Sequence, residues 1–261
     1  MFDLAALEAE LAGTVFAGKL HFARVTGSTN ADAVAAARDG APHGSVFFAD
    51  EQLAGRGRGD HGWISVAGEG LYVSVLLRLQ IPAARMPFLP LAAGLAAAEA
   101  IRAISGLTVD LRWPNDLLIG PRKTGGILAE ANLESKSLPH AVLGIGINVH
   151  QRVFPPGLAT PATSLDLESG KHNSRQTLLA ALLKSLEREA SALADPAATA
   201  TIAERLERAS TWIRGRKVEV HGPQTCTGVT AGLDEHGFLR VATASGLVTV
   251  QTGGLRDAEK D

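Results

Sequence analysis

Arginines and glycines alternate in one polar segment of the chain, which reads E-Q-L-A-G-R-G-R-G-D-H-G-W over residues 51–63. Glycine lets a backbone approach a ligand closely, and the guanidinium groups of Arg56 and Arg58 can bind anionic oxygens. Because unusual loops often carry functional residues, the pattern predicts an anion-binding loop. The alternative is a solvent-exposed hairpin tip without a ligand.

A second polar segment reads L-R-W-P-N-D-L-L-I-G-P-R-K-T-G-G-I-L-A-E over residues 111–130. Asn115 and Asp116 fall between two predicted strands, and Lys123 precedes a pair of glycines. A lysine at this place can set a positive charge on a carboxylate or a phosphate, while the glycines expose backbone N–H groups. The alternative is a β-hairpin whose Asn-Asp pair only makes the turn.

The third segment is G-I-G-I-N-V, residues 144–149. Alternating glycines on a strand remove the side chains from one face of the sheet. That face can accept a flat ligand, or it can pack against a helix.

Two nucleotide-binding patterns elsewhere in the chain lack the structural context that they require. Residues 13–19, G-T-V-F-A-G-K, have the spacing of a P-loop, but the next residue is Leu20, which has no hydroxyl group to bind magnesium. Residues 57–62, G-R-G-D-H-G, have the spacing of a dinucleotide-binding motif, but a strand-like stretch follows them where that motif requires a helix.

The composition argues against several classes of protein. Lysine plus arginine number 25 and aspartate plus glutamate 27, so the net charge is −2, without the positive excess of a bulk nucleic-acid binder. The single cysteine, Cys226, allows neither a disulfide framework nor a cysteine-rich zinc site. No basic signal-peptide region is visible at the start, and no apolar run approaches the roughly 18 residues of a membrane span. We expect a cytoplasmic protein.

Both helices and strands are predicted as far as Trp212. The predicted helices cover residues 4–11 (capped by Asp3), 31–39, 88–104, 174–193 and 197–211. The predicted strands cover residues 21–25, 45–49, 71–79, 109–113, 116–120, 124–134 and 140–150. After Trp212 the chain is rich in valine, threonine and glycine, and its four strand-like runs predict a small β-barrel.

Four motifs in order carry a resemblance to a known family. They are Ser28-Thr29-Asn30, Gln52 with G-R-G-R, R-W-P-N-D with R-K-T-G-G, and G-I-G-I-N. Together they resemble bacterial biotin protein ligases from about residue 22 to 150, and the β-rich C-terminus extends the resemblance to the end. The resemblance implies an α+β fold, with a mixed β-sheet flanked by helices in a catalytic domain (1–212) and an SH3-like β-barrel (213–261).

The resemblance also implies a reaction in two halves. The biotin carboxylate attacks the α-phosphate of ATP with Mg²⁺ and gives biotinyl-5′-AMP and pyrophosphate. A lysine of the biotin carboxyl carrier domain of acetyl-CoA carboxylase then attacks the acyl carbon and releases AMP. The expected partners include neither DNA nor a membrane, and a homodimer is possible for this family.

Site residues follow from the resemblance by their motifs. Lys123 is expected to bridge the biotin carboxylate and the α-phosphate, Arg58 to handle the leaving pyrophosphate, and Asp116 to bind Mg²⁺ or face the acceptor lysine. Biotin-binding residues are expected to be Ser28, Thr29, Asn30, Gln52, Gly55, Arg56, Gly57, Arg58, Lys123 and Gly126. ATP and the adenylate are expected to contact Arg56, Arg58, Trp63, Asn115, Lys123 and Asn148. Trp63 and Trp113 are expected to form walls of the pocket, with core packing as the alternative.

The chain departs from the family at one place. The usual loop in the family is G-R-G-R-x-G-R-x-W, whereas this chain has G-R-G-R-G-D-H-G-W over residues 55–63. Gly59, Asp60 and His61 therefore replace two further positions that are usually basic. We therefore expect a loop that is mobile until ATP or biotinyl-AMP binds, and an adenylate that dissociates faster than from a relative with the basic loop. The lysine that the family usually has before W-P-N-D is replaced here by Arg112, which keeps the positive charge. Only about 20 residues precede the first motif, too few for a winged-helix repressor domain.

Two other functions remain open at this point. Lipoate ligases and octanoyl transferases resemble this domain in fold, although they lack the G-R-G-R loop and the W-P-N-D segment. A non-enzymatic biotin-binding or regulatory protein would be consistent with the altered loop. Testing which carboxylic acid stimulates pyrophosphate exchange distinguishes a biotin ligase from a lipoate ligase or an octanoyl transferase. Failure to form any acyl-adenylate would favour the non-enzymatic protein.

Overall fold

A seven-stranded sheet organises residues 20–148 of the computed structural model, which describes residues 2–59, 61–79, 81–132 and 139–258. The strand order is β1-β2-β3-β7-β6-β5-β4; β1 and β2 are parallel, and the other neighbours are antiparallel. The strands are β1 (Leu20–Thr26), β2 (Ser45–Gln52), β3 (Gly70–Leu77), β4 (Asp110–Arg112), β5 (Asp116–Ile119), β6 (Arg122–Asn132) and β7 (His140–Asn148). The expected mixed sheet is confirmed.

The described residues also form six α-helices. They are α1 (Leu4–Glu10), α2 (Thr29–Arg38), α3 (Phe88–Ser105), α4 (Leu165–Ser169), α5 (Arg175–Ala192) and α6 (Pro196–Ala209). The predicted cap is confirmed, since the Asp3 side chain accepts a hydrogen bond from the Ala6 N–H at 3.0 Å. Helix α4 was not predicted, because five residues are too few to show a helical period.

Helices cover both faces of the sheet, which explains why every residue of β3 is buried. On one face, α3 and α5 pack with Val73 and Ile145 in the main core. On the other face, the small side chains of Ala33 and Ala37 bring α2 against Leu76. Because α2 covers only part of its face, the rest of that face is left for a site.

Helix α3 corrects one expectation. By length and composition alone it is apolar enough to cross a membrane, although no such run was recognised in the sequence. In the structure, 67% of this helix is buried inside the fold. Its apolar character is therefore explained by packing against the sheet and α5.

The second sheet has five antiparallel strands in the order β11-β10-β9-β8-β12. They are β8 (Arg214–His221), β9 (Cys226–Leu233), β10 (Leu239–Thr243), β11 (Gly246–Val250) and β12 (Gly254–Asp257). Four were predicted; β12 was missed because its sequence, G-L-R-D, has a single apolar side chain. Among the described residues the edge strands β11 and β12 do not pair, so this sheet is open and a closed barrel is not confirmed.

Buried polar contacts link the chain around β4 to the chain that follows α6. The Trp113 indole Nε1 donates to the Gly237 carbonyl at 3.2 Å, and the Ser210 hydroxyl donates to the Leu111 carbonyl at 2.5 Å. Trp113 is only 4% exposed. It therefore packs against the turn between β9 and β10, as the core-packing alternative expects, and it does not line the cleft described below.

Candidate active site

A cleft opens on the α2 face of the larger sheet, where β6 and β7 carry glycines. It is lined by Ser28, Thr29, Asn30, Gln52, Arg56, Gly57, Arg58, Trp63, Tyr72, Val73, Asn115, Lys123, Gly126, Ile127, Leu128, Gly144, Ile145 and Gly146. All four sequence motifs contribute to this lining. The structure therefore brings together side chains that are far apart in the chain.

One end of the cleft is polar and buried. The Thr29 backbone N–H donates to Gln52 Oε1 at 2.9 Å, and Gln52 Nε2 donates to Ser65 Oγ at 2.7 Å. Ser28 precedes α2, and its side chain makes no capping hydrogen bond. Hydroxyl and amide groups both donate and accept, so this end suits a neutral ligand group that does the same.

Two glycines of β7 make room for neighbouring side chains. A Cβ atom at Gly144 would lie 2.1 Å from Asn30 Oδ1, and one at Gly146 would lie 2.5 Å from the Trp63 ring. No real Cβ contact is this short, so both positions require glycine in this arrangement. The glycine face therefore receives Trp63 at Gly146 and Asn30 at Gly144. Because Asn30 lies in the first turn of α2, the packing against a helix that the sequence left as an alternative is present at Gly144.

Trp63 lies in the cleft with an unused donor. Its indole Nε1 is buried and has no hydrogen-bond partner within the described part of the chain. A buried N–H without a partner costs free energy. Lys123 Nζ lies 5.7 Å from the ring centroid, so the indole and the lysine border the same space. A polar ligand there would gain a donor from Trp63.

The cationic end of the cleft is built around Asp116. Lys123 Nζ lies 2.5 Å from Asp116 Oδ1, and the Arg112 guanidinium lies 2.6 Å from Asp116 Oδ2. Hydrogen bonds from the Lys123 N–H to the Pro161 carbonyl and from the Thr163 N–H to the Lys123 carbonyl fix the start of β6. Two cations share one carboxylate, which leaves a positive excess beside the cleft.

Burial of the Asp116 carboxyl raises its pKa, but the charges and hydrogen bonds of Lys123 and Arg112 outweigh this effect and hold the pKa below its ordinary value. Asp116 is therefore a carboxylate at neutral pH. Because its folded pKa is lowered, the pair stabilises the fold above the ordinary carboxyl range, and this stability is lost as the pH falls through the folded pKa.

Replacing Asp116 with asparagine should lower both stability and activity. The variant leaves two cations facing each other without a counterion, and breaking such a pair costs about 3–5 kcal/mol. Urea unfolding at pH 7 measures this loss, and the difference from the unmodified protein should shrink as the pH falls below the ordinary carboxyl range. A difference that is constant with pH would mean that the Asp116 charge does not stabilise the fold.

The two loop arginines have different partners. Arg56 Nη2 lies 2.5 Å from Glu130 Oε1, so its charge is neutralised. Arg58 donates to Thr252 Oγ1 and to the Gly253 carbonyl, in the turn between β11 and β12. Burial lowers the pKa of Arg58, while the Asp116 charge opposes that shift. Arg58 is therefore a partly desolvated cation that donates only to neutral oxygens among the described residues, and an anion in the cleft would interact with it more strongly.

Some predicted residues lie outside the cleft lining. Asn148 is buried and donates to the Thr163 carbonyl at 3.0 Å, so it holds the loop after β7. Gly55 lies behind the cleft, where a Cβ atom would be 2.3 Å from the Trp63 carbonyl. Asp116 is not part of the lining, but its carboxylate pairs with Lys123, which is. Asp60 lies outside the described residues, so the expectation for its effect on the loop stays a prediction.

Sequence reasoning missed Ser65, Ser74, Glu130 and Thr252. Ser74 and Glu130 lie within strands β3 and β6, where a polar residue among apolar ones was the available signal. Ser65 and Thr252 belong to no motif. Their roles depend on which strands become neighbours, and that information is not local.

Mg²⁺ was assigned to Asp116 by resemblance. Lys123 and Arg112 each hold one oxygen of this carboxylate. Mg²⁺ in nucleotide sites is held by one or two carboxylates together with the substrate phosphates. Because its oxygens are occupied by cations, Asp116 does not fit that role in this arrangement, and no step below depends on it as a metal ligand.

Fold and cleft together define a class of protein. Residues 22–148 match the family model described as Biotin/lipoate A/B protein ligase family. The chain is similar in structure to the biotin protein ligase from Aquifex aeolicus in complex with biotin and ATP, with a TM-score of 0.80 and 30% identity. That match covers 92% of this chain and 100% of the other.

Curated sequences narrow the class further. The chain is 36% identical to the biotin–[acetyl-CoA-carboxylase] ligase of Mycobacterium tuberculosis over 237 residues, 88% of this chain and 85% of that protein. It is 40% identical over 166 residues, 63% of its length, to the bifunctional ligase/repressor BirA of Bacillus spizizenii, of which it spans 51%. The chain belongs to the biotin protein ligases of the Biotin/lipoate A/B protein ligase family.

Proposed function

We propose that this protein activates biotin with ATP and transfers it to a lysine of a biotin carboxyl carrier domain. The observation that carries the proposal is the cleft itself. A buried polar end with Thr29 and Gln52 and a cationic end with Lys123 line one continuous space. That combination suits a ligand with a neutral polar head and a carboxylate tail, which is the chemistry of biotin.

The first half-reaction joins two anions. A carboxylate oxygen of biotin attacks the α-phosphorus of ATP, and the bond from that phosphorus to the β-phosphate oxygen breaks and releases pyrophosphate. Lys123 would lie between the carboxylate and the α-phosphate and reduce their repulsion, with Asp116 holding its Nζ in place. Preorganised charges of this kind are a major source of rate enhancement in enzymes.

Arg58 would bind the pyrophosphate as it leaves. Negative charge builds on the pyrophosphate oxygens as the bond breaks, and a guanidinium can bind two of them at once. The neutral oxygens of Thr252 and Gly253 hold Arg58 less strongly than a phosphate would. We propose that Arg58 exchanges these contacts for the phosphates, which would link the loop to the second sheet.

The second half-reaction transfers the acyl group. The lysine amine of the carrier attacks the carbonyl carbon of biotinyl-AMP, an amide bond forms, and AMP leaves with the bond electrons. The amine proton passes to solvent. Mg²⁺ supplies charge neutralisation for the ATP phosphates when bound, whereas the residues named above position the reactants. We also propose the division into domains 1–212 and 213–261, with the second as an SH3-like unit.

The decisive experiment offers the purified chain ATP, Mg²⁺ and one acid at a time. Biotin should yield biotinyl-AMP by mass spectrometry, and a carrier domain with its target lysine should gain one biotin. The carrier with that lysine replaced by arginine is the matched control. Lipoate or octanoate giving the adenylate in place of biotin would contradict the substrate, and a folded chain that gives no adenylate would contradict the activity.

A further inference from the structure

Glu130 lies at the edge of the cleft, on the strand face that also carries Gly126 and Leu128. Both of its carboxylate oxygens are occupied. Oε1 accepts from Arg56 Nη2 at 2.5 Å, and Oε2 accepts from Asn30 Nδ2 at 2.8 Å. The carboxylate therefore connects the glycine-arginine loop to the start of α2, which are 26 residues apart along the chain.

The bond to Asn30 has a consequence deeper in the cleft. Because Asn30 Nδ2 faces Glu130, its Oδ1 must face Ser74, whose hydroxyl donates to it at 2.6 Å. The Ser74 hydroxyl also lies 2.8 Å from Thr29 Oγ1, and the Thr29 hydroxyl donates to Gln52 Oε1 at 3.1 Å. The Glu130 carboxylate thus sets the orientation of the Asn30 amide, which places Asn30 Oδ1 on the Ser74 hydroxyl.

Asn30 has little freedom to adopt another position. It is 4% exposed, and its Oδ1 lies where a Cβ atom of residue 144 would otherwise be. The Arg56 side chain, in contrast, is 48% exposed, and the Glu130 side chain is 29% exposed. The loop end of the link is therefore the part that can open, and the α2 end is fixed.

We propose that Glu130 is a positioning residue for biotin. It holds Arg56 so that the loop covers the cleft, and it fixes the orientation of the Asn30 amide beside the polar end. This inference rests on the proposed function, since it assigns a role in binding the same substrate. It also leaves the Arg56 charge neutralised, so that Lys123 and Arg58 remain the cations for the phosphates.

A binding role and a purely structural role predict different results. The Arg56–Glu130 ion pair is partly exposed and contributes little to stability, so Arg56→Ala should hardly change the melting temperature. Glu130→Ala also leaves the buried Asn30 amide without its acceptor and should lower the melting temperature. Fixing a glycine-rich loop costs backbone entropy. Without the Arg56–Glu130 contact, the loop is ordered only when biotin binds, and the entropy cost then reduces the free energy of biotin binding. We therefore expect the dissociation constant for biotin to rise even in Arg56→Ala, whose stability should be unchanged.

The test is calorimetric titration of biotin, without ATP, into Glu130→Ala and Glu130→Gln. Both should bind biotin about tenfold more weakly. Alanine removes both acceptors, and in glutamine the NH₂ group faces one of the two donors, Arg56 or Asn30. The KM for ATP at saturating biotin should stay within about twofold. Glu207→Ala is the matched control: its carboxylate pairs with Arg214 at 2.8 Å, with the same 29% side-chain exposure, away from the cleft. It should bind biotin normally.

Combining Glu130→Ala with Arg56→Ala tests the link itself. If Glu130 acts through Arg56, the double variant should bind biotin no more than about twofold worse than Glu130→Ala alone. Losses that multiply, or a Glu130→Ala variant that binds as tightly as the unmodified protein, would overturn the inference. Failure of the unmodified protein to bind biotin would instead overturn the proposed function, and the inference with it.

Discussion

Replacing Lys123 with alanine is expected to lower the rate of biotinyl-AMP formation about 10²- to 10³-fold, which is the scale of losing one preorganised electrostatic contact. The side chain is held by Asp116 at 2.5 Å and lines the cleft beside Trp63, so its position is set before any ligand arrives. Biotin affinity should fall less, because the polar end of the cleft is unchanged. Single-turnover measurement of the adenylate separates the two effects.

Lys184→Ala is the matched control for this prediction. Lys184 pairs with Glu10 at 3.8 Å and its side chain is 45% exposed, on a helix that covers the opposite face of the sheet. That variant should form the adenylate at the parental rate. Near-normal turnover of Lys123→Ala would mean that Lys123 is only a hairpin residue paired with Asp116.

Replacing Gly144 with alanine is expected to weaken biotin binding by at least about tenfold. The added Cβ atom would lie 2.1 Å from Asn30 Oδ1 and 2.9 Å from its Cγ, so the Asn30 amide must move. Its bonds to Ser74 and Glu130 would break with that movement. Overpacking of this kind also lowers the free energy of unfolding, by about 1–3 kcal/mol. Biotin titration and urea unfolding measure the two losses.

Gly27→Ala is the control for a glycine near the cleft. A Cβ atom there has no heavy atom within 4 Å among the described residues, and its φ lies outside the left-handed region. Both stability and biotin affinity should stay close to those of the unmodified protein. Tight biotin binding by Gly144→Ala would show that the position of the Asn30 amide does not determine affinity.

Much of the fold was accessible from local sequence patterns. The four strands between residues 109 and 150 were predicted because short apolar runs alternate there with turn residues. Helix α2 was predicted from an alanine-rich run after several capping side chains. Helix α4 and strand β12 were not, since five and four residues give too short a pattern. Strand order and the open edge of the second sheet depend on pairing between distant segments, which no local window contains.

The sequence alone determined the residue types of the site and their order along the chain. Spacing showed that G-I-G-I-N clears one face of a strand, and that Lys123 and Asp116 belong to one hairpin. Tertiary structure alone decided what occupies that face and which side chains meet. Trp63 covers it, Trp113 is buried at the second sheet, and Glu130 reaches Arg56 and Asn30 over separations of 74 and 100 residues. Such contacts are set by the register of strands that are distant in sequence, and residue types do not encode that register locally.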